Sequence, residues 1–385
     1  MRGRSIFCFT ASALALVACQ TTDGTRAPNE ANAPATRIAA NDPDAADGII
    51  QARPMPSAPL DQSRWPQRIV FASCLQQNED QSIWNTIAAA DPDLVLYIGD
   101  NVYGDVRSRD PALPELKAAY MRLAQSVPFA RVRANAPLLP MWDDHDYGLN
   151  DAGGEFQFKE KAEELFHYVW ATPKDDPRRA RPGVYGSWYF EGESGAAEDR
   201  LQLIMVDTRY FRSELMETDE RGAKGKERYL PDPDPSKTML GEAQWAWLAE
   251  ELKAPAKKRL LVSSIQVLAD GHGWEAWKML PAEREKLYAM IRAAGIDDIT
   301  ILTGDRHSGA FYKKDVGGLM VEEVTSSSLN LPSARWRTEE DTYMEPGPNR
   351  IGDMIFEANF GLMELTSQGD YVITLRGPDG APYTP

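Results

Sequence analysis

The feature that most constrains the fold is a run of five apolar residues, Leu94 to Ile98, which ends at Gly99-Asp100. The run is too short for an independent helix and is bounded by polar residues and glycine, so it predicts a strand buried on both faces. In open α/β sheets, ligands bind beyond the carboxyl ends of such strands. Asp100 is therefore a candidate metal ligand, together with Tyr103, although Gly-Asp-Asn is equally good turn chemistry.

Three other short apolar runs also end in residues of types that commonly bind metal ions: Cys74, the cluster Asp143-Asp144-His145-Asp146, and the cluster Asp305-Arg306-His307. Carboxylate, imidazole, phenol and thiolate groups are the ligands that hold divalent or trivalent ions. A parallel sheet brings the carboxyl ends of its strands to one edge, so the clusters can converge. One cluster alone is weak evidence, but several at successive strand ends indicate a metal site.

Strands and helices alternate along the chain and give way to a strand-rich end, which predicts α/β layers without a second domain boundary. Strands are predicted near 68–72, 94–98, 138–142, 185–190, 201–206, 260–262 and 299–302, and from 319 onwards. Helices are predicted near 79–90, 113–125, 155–170, 240–252 and 282–293. The charged, Gly- and Pro-rich segment 214–237 is predicted to be a long surface loop.

The N-terminal residues resemble an export signal. Two arginines precede a short apolar run, which ends in Leu16-Val17-Ala18-Cys19, a sequence similar to a bacterial lipobox. We expect residues 1–18 to be a signal peptide and Cys19 to carry lipid, which would anchor an exported protein in the bacterial cell envelope. The alternative is a plain secretory signal with a chance cysteine. Residues 19–66 are polar and rich in Ala and Pro, and are predicted to be a disordered tether to a folded domain at 67–385.

The formal net charge of −16 argues against a nucleic-acid duplex as partner, because binding a long run of phosphates requires a basic surface. A small phosphorylated substrate remains compatible with this charge, since a few local cations can override a global field.

The order Ser-Cys, Gly-Asp-x-x-Tyr, Asp-Asp-His-Asp and Gly-Asp-x-His resembles the PhoD-like alkaline phosphatases. These are relatives of the purple acid phosphatases within the calcineurin-like metallophosphoesterases. Val206-Asp-Thr-Arg209 and Asn359-Phe-Gly361 are similar to that family as well. The resemblance implies a layered α/β sandwich of two mixed β-sheets flanked by helices. It also implies a hydrolase for small phosphate monoesters, diesters or both, in which two metal ions activate water. Separately, we expect the protein to be a monomer.

The resemblance further implies a dinuclear site made by six residues: Cys74, Asp100, Tyr103, Asp144, Asp305 and His307. Asp100 would bridge the two ions. Cys74, Tyr103 and His307 would complete a site for Fe3+, because thiolate and phenolate stabilise the higher charge. Asp144 and Asp305 would hold Ca2+, which prefers hard carboxylate oxygens.

Three further residues are candidates for catalytic roles. His145, when protonated, could donate to the leaving-group oxygen, and Asp146 could hold the histidine ring in position. Arg209 follows a predicted strand and could pair bidentately with phosphate oxygens, or form a structural salt bridge.

Two other functions are compatible with these residues. A non-catalytic surface lipoprotein could use the same fold as a binding module, if its ligands were degenerate. A phospholipase-like phosphodiesterase could use Trp274 and Trp277 to frame an apolar leaving group.

Five further polar residues are not assigned to the six ligands or the three catalytic candidates. His272, in a Gly-His-Gly loop, is predicted to be exposed to solvent, and His167 to be structural. Asp143 is predicted to cap or hydrogen-bond its loop. Asn150 and Asp151 could complete the calcium ligands or shape the pocket.

Overall fold

The computed structural model describes residues 52–337 and 345–383. The predicted signal peptide at 1–18, the lipidation site Cys19 and the part of the tether up to residue 51 lie outside the described residues. Within these two ranges, none of the helices combines the length and the apolar character that crossing a membrane requires.

The first sheet has five strands, and its centre is parallel. In chain order these strands are β1 (Arg68–Ala72), β2 (Leu94–Ile98), β3 (Leu138–Met141), β13 (Phe360–Leu365) and β14 (Tyr371–Arg376), and their order in the sheet is β14-β13-β1-β2-β3. β1, β2 and β3 run parallel, while β13 is antiparallel to β1 and β14. Every residue of β2 is buried, as the apolar run predicts.

The second sheet has seven strands. They are β4 (Gly186–Phe190), β5 (Leu201–Val206), β8 (Lys258–Ser263), β9 (Ile299–Thr303), β10 (Gly309–Val316), β11 (Leu319–Thr325) and β12 (Arg350–Ile355), in the order β12-β10-β11-β9-β8-β5-β4. β5, β8, β9 and β11 run parallel, and β4 pairs with β5 in antiparallel fashion.

Helices cover the outer face of each sheet. The described helices are α1 (Ile83–Ala89), α2 (Pro114–Ala124), α3 (Val127–Asn135), α4 (Asp144–Tyr147), α5 (Lys159–Val169), α6 (Gly241–Glu251) and α7 (Pro281–Ala293). α1, α3 and α5 pack on the first sheet, and α6 and α7 pack on the second. The helix α3 was not among the predicted helices. Its N-cap is Ser126, whose hydroxyl accepts a hydrogen bond from the backbone amide of Phe129 at 3.4 Å.

The two sheets face each other across a third apolar layer. Ile69 and Phe71 of β1 point into this layer, whereas Val70 and Ala72 point toward the helices, since side chains alternate along a strand. The predicted fold class, two mixed sheets flanked by helices, is confirmed.

The packed part of the chain begins before residue 67, where the tether was predicted to end. Met55 and Trp65 are 2% and 7% exposed. The Trp65 indole donates to the carbonyl of Asp199 at 3.0 Å, and its ring stacks on Tyr371. A few apolar residues inside a polar, Pro-rich stretch therefore hold its end, 52–66, against the sheets.

The predicted long surface loop at 214–237 has a short hairpin of its own, formed by β6 (Met216–Glu217) and β7 (Tyr229–Leu230). Residues next to β7 reach the candidate site, as described below.

Candidate metal centre

Two glycines allow the ends of the two sheets to meet. A Cβ on Gly99, after β2, would lie 2.6 Å from the Cβ of Asp143, and one on Gly304, after β9, would lie 2.6 Å from the Ser73 hydroxyl oxygen. Both distances are too short for any larger residue. The glycines thus bring the carboxyl ends of β1, β2, β3 and β9 together, as the sequence motifs predict.

The residues that follow these glycines have an unusual backbone conformation. Cys74, Asp100, Asp305 and His307 all adopt the left-handed region, with φ of 58°, 50°, 68° and 51°. Such values are uncommon for residues with side chains, and they concentrate at functional sites, where the surrounding structure holds the strain. In this protein they turn four candidate ligands toward one point.

One side of the centre contains thiol, phenol and imidazole. The sulfur of Cys74 lies 3.5 Å from Oδ2 of Asp100, and the Tyr103 hydroxyl lies 3.3 Å from both that oxygen and Nε2 of His307. Nδ1 of His307 donates to the carbonyl of Leu331 at 2.5 Å, so in the neutral ring Nε2 keeps its lone pair for a metal ion. Burial, reinforced by the Asp100 charge, raises the pKa of the Cys74 thiol well above its ordinary value.

The other side of the centre is crowded with carboxylates. Oxygens of Asp100, Asp143, Asp144 and Asp305 all lie within 4.8 Å of one another. Burial and the neighbouring carboxylates raise the pKa of Asp100 and Asp305 well above the usual range. Among the described residues, no group hydrogen-bonds the buried Oδ2 of Asp143. A multivalent cation would satisfy this oxygen and relieve the repulsion, so these residues fit the metal ions that the sequence motifs imply.

His145 lies within the same cluster, and Asp105 holds its ring. Its Nδ1 is 3.0 Å from Oδ1 of Asp105, and both side chains are at least nine-tenths buried. The backbone amide of His145 donates to Asp144 at 2.9 Å, which fixes the residue beside the carboxylates. Burial disfavours the charged ring, but Asp144, Asp105 and Asp100 outweigh it and raise the pKa of His145 well above its ordinary value. The structure therefore corrects the prediction that Asp146 orients this ring.

Asp146 instead connects the ends of β2 and β3. Its carboxylate accepts hydrogen bonds from the backbone amide of Asp143 at 2.7 Å, from that of Asp100 at 3.2 Å, and from the Asn101 side chain at 2.6 Å. Burial raises the pKa of Asp146 to about 8. Its contacts give it a structural role in shaping the loops that carry the ligands.

Arg209 is completely buried behind the carboxylates. Its guanidinium contacts Asp143 at 2.6 Å and Glu275 at 2.7 Å, and lies 4.0 Å from Asp144. This position corresponds to the structural salt bridge that the sequence left open as the alternative to a phosphate contact. Arg209 compensates part of the negative charge of the centre.

Asp151 connects the centre to the 214–237 loop. Its backbone amide donates to Asp144 at 2.7 Å, while its carboxylate pairs with Arg228 and accepts from the Tyr229 hydroxyl at 2.8 Å. A carboxylate oxygen of Asp151 also lies within 4.8 Å of ligand atoms of Asp144 and Glu275. Both roles predicted for Asp151, a metal ligand and a residue that shapes the pocket, are compatible with these contacts. Its neighbour Asn150 is half-buried.

The prediction that His272 is exposed to solvent is wrong, because the residue is fully buried. Its Nδ1 accepts from the backbone amide of Trp274 at 3.1 Å, and its Nε2 donates to Gln266 at 2.8 Å. Burial lowers the pKa of His272 well below its ordinary value, so the ring is neutral. Trp277 is also fully buried, in the core between α6, α7 and the second sheet, and cannot frame a leaving group.

Sequence reasoning missed three residues that contact the centre. Asp105 lies five positions after Asp100 in the same motif, so its proximity was a usable signal. Glu275 and Ser327 gave no such signal. The Ser327 hydroxyl donates to the sulfur of Cys74 at 3.0 Å, although the two residues are 253 positions apart.

Comparison with known proteins shows which proteins this chain is similar to. A profile of the PhoD-like phosphatase family matches residues 69–377. Alkaline phosphatase D of Bacillus subtilis (strain 168) is 24% identical over 302 residues, which are 68% of this chain and 48% of that protein. The chain thus spans about half the length of this curated relative.

Three solved structures share the fold. The structure of PhoD superimposes with a TM-score of 0.62 at 16% identity, covering 84% of this chain and 72% of that one. The purple acid phosphatase PPD1 from yellow lupin (Lupinus luteus) seeds gives 0.51 at 11% identity, covering 84% and 54%. GAP50, described as the anchor in the inner membrane complex of Plasmodium, gives 0.51 at 14% identity, covering 83% and 87%.

Proposed function

This chain belongs to the PhoD-like phosphatase family, and on that premise we propose that it hydrolyses small phosphate esters at the metal centre. A fold alone does not imply catalysis, since one fold can carry unrelated functions. The observation that supports hydrolysis is that all six candidate ligands are present and face one point. A non-catalytic binding module would have no need to keep Cys74, Asp100 and Asp305 in strained backbone conformations.

The chemistry of the ligands supports a mixed pair of metal ions. Cys74, Tyr103 and His307 offer thiolate, phenolate and imidazole, a set suited to Fe3+, and Asp144 and Asp305 offer hard oxygens suited to Ca2+. Asp100 lies between the two groups and would bridge them. Bound there, the ions would neutralise phosphate charge and lower the pKa of water for attack on phosphorus.

His145 is the candidate proton donor. Its ring lies 4.4 Å from the Tyr103 ring, centroid to centroid, beside the bridging carboxylate. Asp105 accepts from Nδ1 and orients the ring, and in this proposal the imidazolium donates its Nε2 proton to the oxygen of the departing alcohol. Arg209 would hold Asp143 and Asp144 in place from behind, and Asp146 would hold the loops. Both are therefore positioning residues in this proposal, without contact to substrate.

The test is hydrolysis of a model phosphomonoester and a model phosphodiester by the purified holoprotein, with elemental analysis of its metals. We expect release of phosphate or alcohol, and a loss of at least roughly a thousandfold in Asp100→Ala, because that variant lacks the bridge between the ions. Asp353→Ala, which changes an exposed carboxylate on β12, is the matched control and should keep full activity. Full activity of Asp100→Ala would refute the proposal.

The iron assignment has a test of its own. A phenolate bound to Fe3+ gives the protein a purple colour, which should vanish in Tyr103→Phe while the calcium content stays unchanged. Absence of iron from an active preparation would contradict this assignment without affecting hydrolysis itself.

We also propose that the protein is exported and held in the cell envelope by lipid on Cys19, acting as a monomer. The lipobox-like sequence supports the anchor, and a single chain supplies all six candidate ligands. Cys19→Ser should move the protein from the membrane fraction to the soluble fraction, and sedimentation should give the mass of one chain. Membrane retention of the variant would argue against lipidation.

A further inference from the structure

Three consecutive serines, Ser326, Ser327 and Ser328, follow β11 and lie beside the candidate iron ligand Cys74. All three serines are fully buried. A buried hydroxyl group requires a hydrogen-bond partner inside the protein, so the partners indicate what each serine does. The function proposed above gives these three residues no role.

The hydroxyl of Ser327 connects two candidate ligands. It donates to the sulfur of Cys74 at 3.0 Å and accepts from the backbone amide of His307 at 2.7 Å. Cys74 follows β1 of the first sheet, and His307 follows β9 of the second sheet. One hydroxyl group therefore ties together two strand ends from different sheets, at the point where the thiol and the imidazole meet.

A second hydroxyl lies near the same sulfur, but its proton is directed elsewhere. The Ser73 oxygen is 3.3 Å from the sulfur of Cys74, and it donates to the carbonyl of Ser326 at 3.2 Å. A hydroxyl group has one proton to donate, and in Ser73 that carbonyl takes it. Ser327 is therefore the hydroxyl donor to the sulfur.

Asn359 holds the three serines in place. This asparagine belongs to the Asn-Phe-Gly sequence near the end of the chain, and it is fully buried. Its side-chain nitrogen donates to the carbonyl of Ser327 at 2.9 Å, and its side-chain oxygen accepts from the Ser326 hydroxyl at 3.1 Å. Its backbone amide donates to the carbonyl of Ser328 at 2.8 Å. These contacts fix the backbone on both sides of Ser327, and with it the position of the hydroxyl.

We propose, on the basis of the iron site proposed above, that Ser327 is a positioning residue that holds the thiolate and the imidazole as one pair and weakens the donation of the sulfur to the metal. A hydrogen bond to a thiolate ligand withdraws electron density from the sulfur. Such bonds are among the interactions that set the reduction potential of metals bound to thiolate. Ser327 thereby favours Fe2+ relative to a site without this hydrogen bond.

The first test compares the absorption spectrum of iron-loaded Ser327→Ala with that of the wild-type holoprotein. Without the hydrogen bond the sulfur donates more strongly, so the thiolate-to-iron band should move to longer wavelength. The iron then accepts less charge from Tyr103, so the phenolate-to-iron band should move to shorter wavelength. A variant that had merely lost part of its iron would show weaker bands at unchanged positions, and that result would overturn the proposal.

The second readout is the reduction potential of the bound iron. A stronger sulfur donor stabilises Fe3+ over Fe2+, so the potential should be lower in Ser327→Ala than in the wild type. We expect the preference for Fe3+ to rise roughly tenfold, which corresponds to about 59 mV for a one-electron couple. An unchanged potential would contradict the proposal.

Two further variants separate the hydrogen bond from general effects of substitution. Ser327→Thr keeps a hydroxyl group and should keep the band positions of the wild type. Ser263→Ala is the matched control, because Ser263 is a fully buried serine at the end of β8 whose hydroxyl donates to the carbonyl of Ile265 at 2.7 Å. It loses a buried hydrogen bond of the same kind, and its bands and potential should equal those of the wild type.

A measurement on the wild-type protein covers the case in which Ser327→Ala does not fold. Exchange into D2O should shift the iron–sulfur stretching frequency in the resonance Raman spectrum, because the Ser327 hydroxyl proton is replaced by deuterium. Absence of a shift would overturn the proposal. If the wild type takes up no iron, the iron assignment fails, and the thiolate-to-metal band of the Co2+-loaded protein decides the role of Ser327. Neither readout requires turnover, so a failure of the proposed hydrolysis remains a separate result.

Discussion

Buried carboxylates near the strand ends differ in what offsets the cost of burying their negative charge. Asp100 and Asp305 face other carboxylates, and burial together with those charges raises their pKa well above the usual range. Glu323 on β11 is equally buried but accepts hydrogen bonds from the backbone amides of Val267 and Leu268 and from the Thr303 hydroxyl. Burial raises its pKa only to about 7, because these donors oppose the effect.

The difference separates a structural carboxylate from a functional one. Where the chain itself supplies hydrogen-bond donors, a buried carboxyl group holds a loop in place and needs no bound ion. Where carboxylates face one another, folding leaves their compensation to a bound cation. Burial alone would have marked Glu323 and Asp305 as equals, and only the donors around them distinguish the two.

Removing Arg209, the buried cation beside the carboxylates of the metal centre, should have the largest effect on the stability of the fold. Arg209→Met would leave the buried carboxylate of Asp143 without its cation and Glu275 with Arg212 alone, and breaking a buried pair in this way costs about 3–5 kcal/mol. We expect the free energy of unfolding in urea to fall by that amount. Lys253→Met, which removes an exposed pair with Glu250, is the control and should change it by about 0.5 kcal/mol or less. A change of Arg209→Met as small as the control would show that metal ions alone compensate Asp143.

Removing metal ions should destabilise the same region by a comparable amount. Each ion that binds only the folded chain, at roughly 100 times its dissociation constant, adds about 3 kcal/mol to its stability. Extensive chelation should therefore lower the unfolding temperature, and reloading with Fe3+ and Ca2+ should restore it. Glu323→Gln should respond to the chelator as the wild-type protein does, since Glu323 makes its contacts to the chain itself. An unchanged unfolding temperature after verified metal loss would contradict the role assigned to the clustered aspartates.

Glu323 predicts a pH dependence of stability. Its pKa is about 7 in the folded chain, against 4.5 for an ordinary glutamate. A raised carboxyl pKa stabilises the fold below pH 4.5, and this contribution is lost as the pH rises through 7. Between pH 5 and 8 the free energy of unfolding of the wild type should fall relative to Glu323→Gln by about 3 kcal/mol. A difference that stays constant over this range would mean that the donors compensate the ionised carboxylate completely.

The sequence predicted the fold because the fold rests on local patterns. It predicted the six ligand candidates because the clusters at the strand ends resemble the motifs of a known family. β2 is an apolar run followed by Gly99-Asp100, which predicts a buried strand end. This pattern alone fits a turn as well as a ligand, and the similar clusters at other strand ends favoured the ligand. The same logic applied at Cys74, Asp144 and Asp305, and the parallel sheets brought the four strand ends together.

What the sequence could not predict depends on contacts between distant segments. Nothing near Glu275 indicates that it pairs with Arg209, and the polar stretch before Pro66 conceals that Trp65 packs on Tyr371. The Gly-His-Gly sequence around His272 suggested an exposed loop, but the Glu227 carboxylate and the Gln266 side chain cover it. Asp105 was overlooked for another reason, because Asp146 lies next to His145 in sequence and was a simpler choice of partner.

Asp105 provides the most sensitive test of the comparison, since its carboxylate pairs with the catalytic candidate His145 and with Arg107 instead of a backbone donor or a metal ion. Asp105→Asn keeps an oxygen that can accept from Nδ1 of His145 but removes the charge that stabilises the imidazolium. We expect kcat to fall about tenfold with little change in KM, as for other residues that orient a catalytic histidine. Metal content should remain that of the wild type, because Asp105 acts through His145. Asp146→Asn, in contrast, should perturb the loops that carry Asp100 and so lower metal content and kcat together. If Asp105→Asn loses metal as well, Asp105 belongs to the metal-dependent carboxylates, and His145 is held by the ions instead.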